Sequence, residues 1–260
     1  MDERQRIARL KQQFEHLPPV RVGIGDDAAV LDLPAGELVW TVDCAVEGTH
    51  FTRDLLSMHT LGWRSLMAAA SDVAAMGAEP LAVLSALQLP PDLRDQQLEQ
   101  INDGLQAAAR AIGTSVAGGN LSSGPCLSIT LSVAGTPLRN AVLRSGARPG
   151  DTLRLSGPCG VAALGLRALQ RAEQAPLASE LEHAVERWRR PQARFDLAPH
   201  LAARASAAID VSDGLLDDLA ALCSASGVGA VLHADKVQEL AGIDQLATGL
   251  GIDPLVPILT

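Results

Sequence analysis

Aromatic residues are nearly missing from this chain of 260 residues: they make up 2% of it, and tyrosine is absent altogether. Side chains on which nucleic-acid bases could stack are therefore scarce. Basic residues are outnumbered as well, with 21 Lys and Arg against 30 Asp and Glu and a formal net charge of −9. Such a charge disfavours binding to nucleic-acid backbones and to anionic membranes. We expect neither kind of partner.

Several signals of other protein classes are also missing. The four cysteines form no Cys-x-x-Cys pair, so we expect reduced, buried thiols in a cytoplasmic protein rather than a disulfide or zinc framework. No apolar run approaches the roughly 20 residues that cross a bilayer, and the charged first residues do not resemble a signal peptide. A GxSxG elbow is absent, which leaves serine-nucleophile chemistry without support.

What the chain does contain is enough apolar material for a core, since 47% of its residues are hydrophobic and 20% are charged. Strand and helix patterns follow one another without strict alternation, and turn-forming residues cluster near position 138. We therefore predict an α+β protein of two domains, residues 1–137 and 138–260. In the second domain, strands are predicted over Thr152–Ser156 and over residues 206–211 and 229–234.

Aspartates recur where the sequence is otherwise apolar. They are Asp26, Asp27, Asp43, Asp72, Asp210 and Asp213. Lys and Arg are missing between Val22 and Arg53, so no basic side chain nearby in sequence can neutralise the first of them. Buried carboxylates become protonated, pair with a cation or bind metal, and oxygen ligands without His or Cys favour Mg²⁺ or Ca²⁺. Taken singly, Asp26 also fits a turn and Asp213 also fits the first turn of a helix.

The stretch "AGGNLSSGP", Ala117–Pro125, is a candidate phosphate-binding loop. Its glycines allow close approach of the backbone, and its serines offer hydroxyl donors. It lacks the GK[ST] of a Walker A loop and is not a Rossmann GxGxxG, and a flexible hairpin loop fits it equally well. Arg144 could reach a phosphate or lie on the surface, and His50 is ambiguous in the same way. Metal-assisted phosphoryl transfer is the chemistry that these residues favour.

Six motifs in this order resemble the thiamine-monophosphate kinase family: "GIGDDAAV", "TVDCAVEGTHF", "SDVAAMGAEP", "GGNLSSGP", "LRSGARPGD" and "IDVSDGLLDDL". That family belongs to the aminoimidazole-ribonucleotide-synthetase-like superfamily. The resemblance implies an α+β fold of two domains, with N-terminal domains that pair into a barrel-like interface of a homodimer. It also implies that ATP phosphorylates thiamine monophosphate to thiamine diphosphate with the help of Mg²⁺. Because the acceptor is already an ionised phosphate, no catalytic side chain is implied.

The resemblance also assigns individual positions. It implies that the Mg²⁺ ligands are Asp27, Thr41, Val42 (through its carbonyl), Asp43, Asp72, Asn120, Asp210 and Asp213. It implies that the nucleotide contacts Gly119, Asn120, Arg144 and Ser212, and that the substrate contacts His50.

Two departures from the family pattern leave alternatives open. The family's Gly-Gly-Asp motif ends here in Asn120, an uncharged ligand, and the family's "GGEDYEL"-like segment has no counterpart before the last residue, Thr260. We therefore expect an incomplete C-terminal domain. The alternatives are an impaired homologue that binds nucleotide or dimerises without catalysis, and a superfamily synthetase that uses another acceptor.

Overall fold

The computed structural model describes residues 9, 12–14, 18–22, 30–31, 36–172 and 179–259. The chain divides into two compact units. The first contains residues 1–141 and 192–202, and the second contains residues 142–191 and 203–260. Each unit is described by itself below. The predicted division into residues 1–137 and 138–260 stays a prediction.

The first unit is built from strands and two long helices. In chain order its main elements are β1 (Val20–Val22), β2 (Val30–Leu31), β3 (Val39–Val46), α1 (Met58–Ala75), β4 (Ala78–Leu89), α2 (Asp95–Ala111), β5 (Val116–Ser123) and β6 (Ser128–Pro137). Strands β1 and β2 form an antiparallel pair. The other four strands form one sheet in the order β3-β6-β4-β5, in which β4 and β5 are parallel and the remaining pairs are antiparallel.

The two faces of this sheet differ in burial. Along β6, buried Ile129, Leu131 and Val133 alternate with half-buried serine and threonine, as expected for a strand with one face in the core. The registers place Thr41 and Asp43 of β3 beside Val133 and Leu131, on the same face of the sheet, where Thr41 is half-buried and Asp43 is exposed. On the other face, which we call the outer face, Trp40, Val42 and Leu84 are exposed.

Helices α1 and α2 approach each other at two glycines. A Cβ on Gly62 would lie 2.1 Å from the carbonyl oxygen of Ile101, and a Cβ on Gly104 would lie 1.9 Å from that of His59. Any side chain at either position would overlap backbone of the neighbouring helix. The two glycines therefore allow the helix pair to pack closely, with Leu66 and Leu105 fully buried.

The second unit is mostly helical in the residues that the structure describes. Its helices are α3 (Val161–Ala172), α4 (Glu182–Arg189), α5 (Ala198–Arg204, shared with the first unit), α6 (Leu215–Ser226), α7 (Ala234–Ala241), α8 (Asp244–Gly249) and α9 (Leu255–Leu259). A short 3₁₀ turn at Ser179–Leu181 precedes α4, and another at Phe195–Leu197, which belongs to the first unit, precedes α5.

The strands predicted in the second unit are wrong. Residues 152–156, 206–211 and 229–233 have no regular secondary structure, and Ala234 already begins α7. A strand needs a hydrogen-bonded partner over several residues. In the described part of the second unit, the Ala208 N–H of one such segment donates to the Leu143 carbonyl at 3.0 Å, but no ladder follows from this contact. The apolar, β-branched composition of these segments was therefore not sufficient to predict a ladder.

Two of the absences expected from the sequence concern membrane-spanning helices and bonded cysteines. No helix in the described ranges is both long and apolar enough to cross a membrane. All four cysteines are free thiols, but each is half-buried rather than fully buried. Burial raises the pKa of the Cys159 thiol.

Candidate functional site

Strand β3 and helix α1 bring two of the predicted metal ligands into direct contact. The Thr41 hydroxyl donates to the Asp72 carboxylate at 2.6 Å. Thr41 lies on the buried face of the edge strand β3, and Asp72 begins the last turn of α1. Both residues are half-buried. The contact joins residues 31 positions apart in the sequence, which composition and spacing alone do not predict.

Asp43 lies on the same face of β3 as Thr41, two residues further along. Two steps along a strand cover about 6.5 Å, so the Asp43 carboxylate belongs to the same edge of the sheet as the Thr41–Asp72 pair. One of its oxygens accepts the Cys44 N–H at 2.7 Å. The Val42 side chain points to the outer face and is 66% exposed, which leaves its backbone as the part that could serve a metal.

His50 lies in the turn that follows β3. The imidazole Nδ1 accepts the Val46 N–H at 3.0 Å, and the His50 N–H donates to the Val46 carbonyl at 2.9 Å. In the neutral ring, a nitrogen that accepts a hydrogen bond carries no proton, so Nε2 carries it. The exposed side of this histidine therefore presents an N–H donor.

An ion-pair network stabilises this turn. The Arg53 Nε atom lies 2.7 Å from a carboxylate oxygen of Glu47, and the Arg53 Nη1 atom lies 2.7 Å from a carboxylate oxygen of Asp92. Glu47 also accepts the Leu127 N–H at 3.1 Å. The hydrogen bonds to Glu47 raise the pKa of Arg53, and the hydrogen bond from Arg53 lowers the pKa of Asp92. Arg53 was not among the functional residues predicted from the sequence, although it is the first basic residue after a long acidic and apolar stretch.

Gly119 and Asn120 lie elsewhere on the first unit. They belong to β5, at the edge of the sheet opposite to β3. Three strand spacings separate these edges by about 14 Å. Register with Ala86 places Asn120 on the outer face, so the structure does not bring Asn120 beside Asp72. A Cβ on Gly119 would lie 1.8 Å from the Ser85 carbonyl oxygen, a close approach that only glycine permits.

In the second unit, Asp210, Ser212 and Asp213 share one loop before helix α6. Ser212 and Asp213 are exposed, and Asp210 is half-buried. A buried carboxylate, Asp218, accepts the N–H groups of Ser212 at 2.8 Å and Asp213 at 3.1 Å. Asp218 was also not among the functional residues predicted from the sequence. It could have been found as a charged residue in an otherwise apolar helix shortly after the loop.

Arg144 lies on a segment next to the residues that precede that loop in the sequence. The Leu143 carbonyl accepts the Ala208 N–H, two residues before Asp210. The Ser226 hydroxyl donates to the Arg144 carbonyl at 2.8 Å. The Arg144 side chain is exposed. The second unit therefore places the segments of Arg144 and Asp210 next to each other.

The predicted Mg²⁺ ligand set stays a prediction. Asp26 and Asp27 lie outside the described residues. Within the described ranges, no three His, Cys, Asp or Glu side chains form a group that could hold a metal ion. The contacts found are the Thr41–Asp72 pair with Asp43 on the same face in the first unit, and the Asp210–Asp213 loop in the second.

Comparison with known families gives matches to both halves of the chain. The family described as AIR synthase related protein, N-terminal domain, matches residues 25–137. The family described as AIR synthase related protein, C-terminal domain, matches residues 148–256.

Several relatives are thiamine-monophosphate kinases. A thiamine-monophosphate kinase from Salmonella typhimurium is 38% identical over 222 residues, which cover 85% of this chain and 67% of the relative. One from Synechococcus elongatus is 38% identical over 85% of this chain and 70% of the relative. The chain thus spans about two thirds of the length of these relatives.

Solved structures agree with the fold. A structure described as AaThiL complexed with AMPPCP and TMP superposes with a TM-score of 0.80 at 31% identity, covering 91% of this chain and 75% of the other. A thiamine-monophosphate kinase from Stenotrophomonas maltophilia gives 0.79 at 34% identity, covering 96% and 81%. A hydrogenase maturation protein HypE in complex with ATP gives 0.70 at 20% identity, covering 100% and 75%, a likeness of fold alone.

Proposed function

The chain belongs to the thiamine-monophosphate kinase family of AIR synthase related proteins, and we propose that it transfers the γ-phosphoryl group of ATP to thiamine monophosphate. The single observation that carries the proposal is the likeness to AaThiL complexed with AMPPCP and TMP, at 31% identity over 91% of this chain. AMPPCP is an analogue of ATP, and TMP is the acceptor. The products are thiamine diphosphate and ADP.

The donor atoms around Asp72 fit a Mg²⁺ ion. They are carboxylate and hydroxyl oxygens from Thr41, Asp43 and Asp72, and Mg²⁺ prefers oxygen ligands. We propose that Thr41, Asp43 and Asp72 bind Mg²⁺ in the first unit, and that Asp210 and Asp213 bind Mg²⁺ in the second. A bound Mg²⁺ ion supplies positive charge that screens two polyanions from each other and from the carboxylates.

The protein's own residues bind and orient the two phosphates. An oxygen of the acceptor monophosphate attacks the γ-phosphorus, and the bond from that phosphorus to the bridging oxygen of ADP breaks. We propose that the Nε2–H of His50 donates to the acceptor phosphate, and that the nucleotide contacts β5 at Gly119. Arg144 and Ser212 are proposed to contact ATP. Because the acceptor oxygen is already ionised, none of these residues has to remove a proton.

The outer face of the sheet is the proposed contact in a homodimer. Trp40 and Val42 on β3 are 67% and 66% exposed, and Leu84 on β4 is 42% exposed. Apolar side chains exposed together on one face of a sheet are typical of an interface. A second copy can cover that face through the same residues by twofold symmetry. Pairing of two such sheets would give the barrel-like interface implied by the family. We place this dimer in the cytoplasm, the compartment that the free thiols favour.

The experiment that tests the function compares acceptors. Purified protein is incubated with ATP and Mg²⁺, and ADP release is followed with thiamine monophosphate, with thiamine, and without acceptor. The proposal predicts ADP release that depends on thiamine monophosphate. Equal ADP release under all three conditions would overturn it.

A second candidate function rests on Asn120. An amide in place of a carboxylate removes one negative charge from the nucleotide edge of the sheet, so metal-dependent binding should be weaker there. The candidate is a protein that binds nucleotide and dimerises without phosphoryl transfer. Calorimetry with Mg-ADP and a non-hydrolysable ATP analogue distinguishes the two, because nucleotide binding without any binding of thiamine monophosphate favours the second.

A further inference from the structure

The loop before helix α6 is held by a buried carboxylate for which the mechanism above has no use. Asp218 is 7% exposed, and its Oδ2 atom accepts the N–H groups of both Ser212 and Asp213. Two successive backbone donors on one oxygen fix the direction of the peptide planes at these residues. The side chains of Ser212 and Asp213 remain exposed on the loop.

The geometry of the turn depends on the same group. Gly214 has φ 120° and ψ 152°, which side chains other than hydrogen rarely permit, and its carbonyl accepts the Asp218 N–H at 3.1 Å. Asp218 is thus connected to three successive residues of the loop: by its side chain to Ser212 and Asp213, and by its backbone to Gly214. Helix α6 and the loop form one hydrogen-bonded unit.

Charge explains why such a group is needed. Asp210, Asp213, Asp217 and Asp218 lie within nine residues, and no Lys or Arg interrupts them. Like charges at short range repel, so an unrestrained loop would separate its carboxylates. Hydrogen bonds from backbone N–H groups to an ionised carboxylate are stronger than those between neutral groups. They keep the loop in one conformation despite the repulsion.

We propose that Asp218 is a positioning residue that holds Ser212 and Asp213 in the conformation in which they bind Mg²⁺-nucleotide. The proposal rests on the proposed function, because it takes Ser212 and Asp213 as the nucleotide and metal contacts. Asp218 itself contacts neither ligand. Its role is to orient residues that do, as outer partners of metal ligands do in other proteins.

The test uses the full chain with three substitutions. Asp218→Ala removes the accepting oxygen, and Asp218→Asn keeps an oxygen in its place while removing the charge. Asp217→Ala is the matched control, because Asp217 is the exposed neighbour in the same turn. For each variant, KM is measured for Mg-ATP and for thiamine monophosphate, and hydrogen–deuterium exchange is measured for the peptide that contains residues 209–214.

The proposal predicts that Asp218→Ala raises KM for Mg-ATP about 10- to 100-fold, the usual loss for an outer partner of a metal ligand. KM for thiamine monophosphate stays within a factor of about two, and exchange in the 209–214 peptide becomes faster. Asp218→Asn raises KM for Mg-ATP less, about three- to tenfold, because its amide oxygen can accept both N–H groups but lacks the charge that strengthens them. Asp217→Ala behaves like the parent.

The outcomes separate this inference from the function it rests on. A parent protein without kinase activity would overturn the proposed function, and the exchange data would still report on Asp218. An Asp218→Ala variant with unchanged KM and exchange would overturn the inference alone. If Asp218→Ala fails to fold, Asp218→Asn decides: the expected rise in its KM for Mg-ATP supports the inference, and a KM and an exchange rate equal to the parent's would overturn it.

Discussion

At the scale of single residues, the Thr41–Asp72 hydrogen bond is the most informative contact of the first unit. It joins a β-strand to a helix at 2.6 Å, and it fixes one oxygen of a half-buried carboxylate. A carboxylate oriented in this way needs little rearrangement to coordinate a cation. Asp43 lies two residues from Thr41 on the same face of the strand, about 6.5 Å away, and adds a second negative charge.

Asp72→Asn is expected to weaken Mg²⁺-dependent binding of a non-hydrolysable ATP analogue by about tenfold or more. Folding stability should change by less than about 1 kcal/mol, because the amide oxygen still accepts the Thr41 hydroxyl. Calorimetry and urea unfolding measure the two effects. Asp235→Asn, which removes an exposed carboxylate outside the proposed site, is the control. An Asp72→Asn variant that binds the Mg²⁺-nucleotide as tightly as the parent would remove Asp72 from the ligand set.

The order of the motifs predicted the family, which the family and relative matches confirm. The divalent cation that the aspartates indicate stays a prediction. Neither the motifs nor the aspartates could show that Asp218 or Arg53 would support the predicted loops, because each acts through groups that sequence spacing does not pair. Asp218 binds backbone N–H groups, and backbone groups are the same at every position except proline.

At the scale of elements, the turn after β3 depends on the Glu47–Arg53–Asp92 network. Arg53 donates to both carboxylates, and Glu47 also accepts a backbone N–H from Leu127. The network thus attaches the turn that carries His50 to two other segments of the first unit.

Arg53→Met is expected to destabilise the protein more at pH 7 than at pH 3.5. The hydrogen bond from Arg53 lowers the folded-state pKa of Asp92. A lowered carboxyl pKa stabilises the fold above the unfolded-state value of about 3.9, and the stabilisation disappears as the pH falls through the folded-state pKa. Urea unfolding of parent and variant at both pH values measures the difference. Adding Asp92→Asn to Arg53→Met should cause little further loss, and an equal deficit at both pH values would contradict the assignment.

Gly104→Ala is expected to lower the free energy of unfolding by about 2 kcal/mol through overpacking. Its Cβ would lie 1.9 Å from the His59 carbonyl oxygen, so the helices must separate. Alanine's better helix propensity offsets about 1 kcal/mol at most. Gly118→Ala is the control in the same unit, since its Cβ would be 3.5 Å from the nearest atom. Denaturant unfolding measures both variants, and a Gly104→Ala protein as stable as the parent would contradict the close packing.

The long periodic elements of the first unit were predicted well, and the short apolar strands of the second unit were not. The sequence has a helical pattern from Thr60 to Gly77 and over Asp95–Ile112, and these stretches correspond to α1 and α2. These helices bury one face against the sheet or each other, which the sequence records as periodicity. The segment around Val231 is β-rich in composition, yet Val231 is 81% exposed and unpaired with any strand in the described part of the chain. A strand depends on partners that its own sequence does not specify.

At the scale of the whole molecule, the proposed dimer is a claim about the outer face of the sheet. Leu84→Asp is expected to convert a dimer into a monomer at micromolar concentration, because a carboxylate would have to be buried in an apolar interface. Sedimentation velocity measures the mass. Val231→Asp, an equally drastic change at an exposed position in the second unit, should leave the dimer intact. A Leu84→Asp protein that keeps the parent's dimeric mass would exclude this face as the interface.

Phosphoryl transfer to thiamine monophosphate is measured most simply by following the γ-phosphate of ATP. The full chain is incubated with γ-labelled ATP, thiamine monophosphate and saturating Mg²⁺, and the labelled products are separated. We expect one labelled thiamine diphosphate for each ADP formed, and no label in thiamine diphosphate when Mg²⁺ is chelated. Label that appears only in inorganic phosphate, or that stays in ATP, would contradict this expectation.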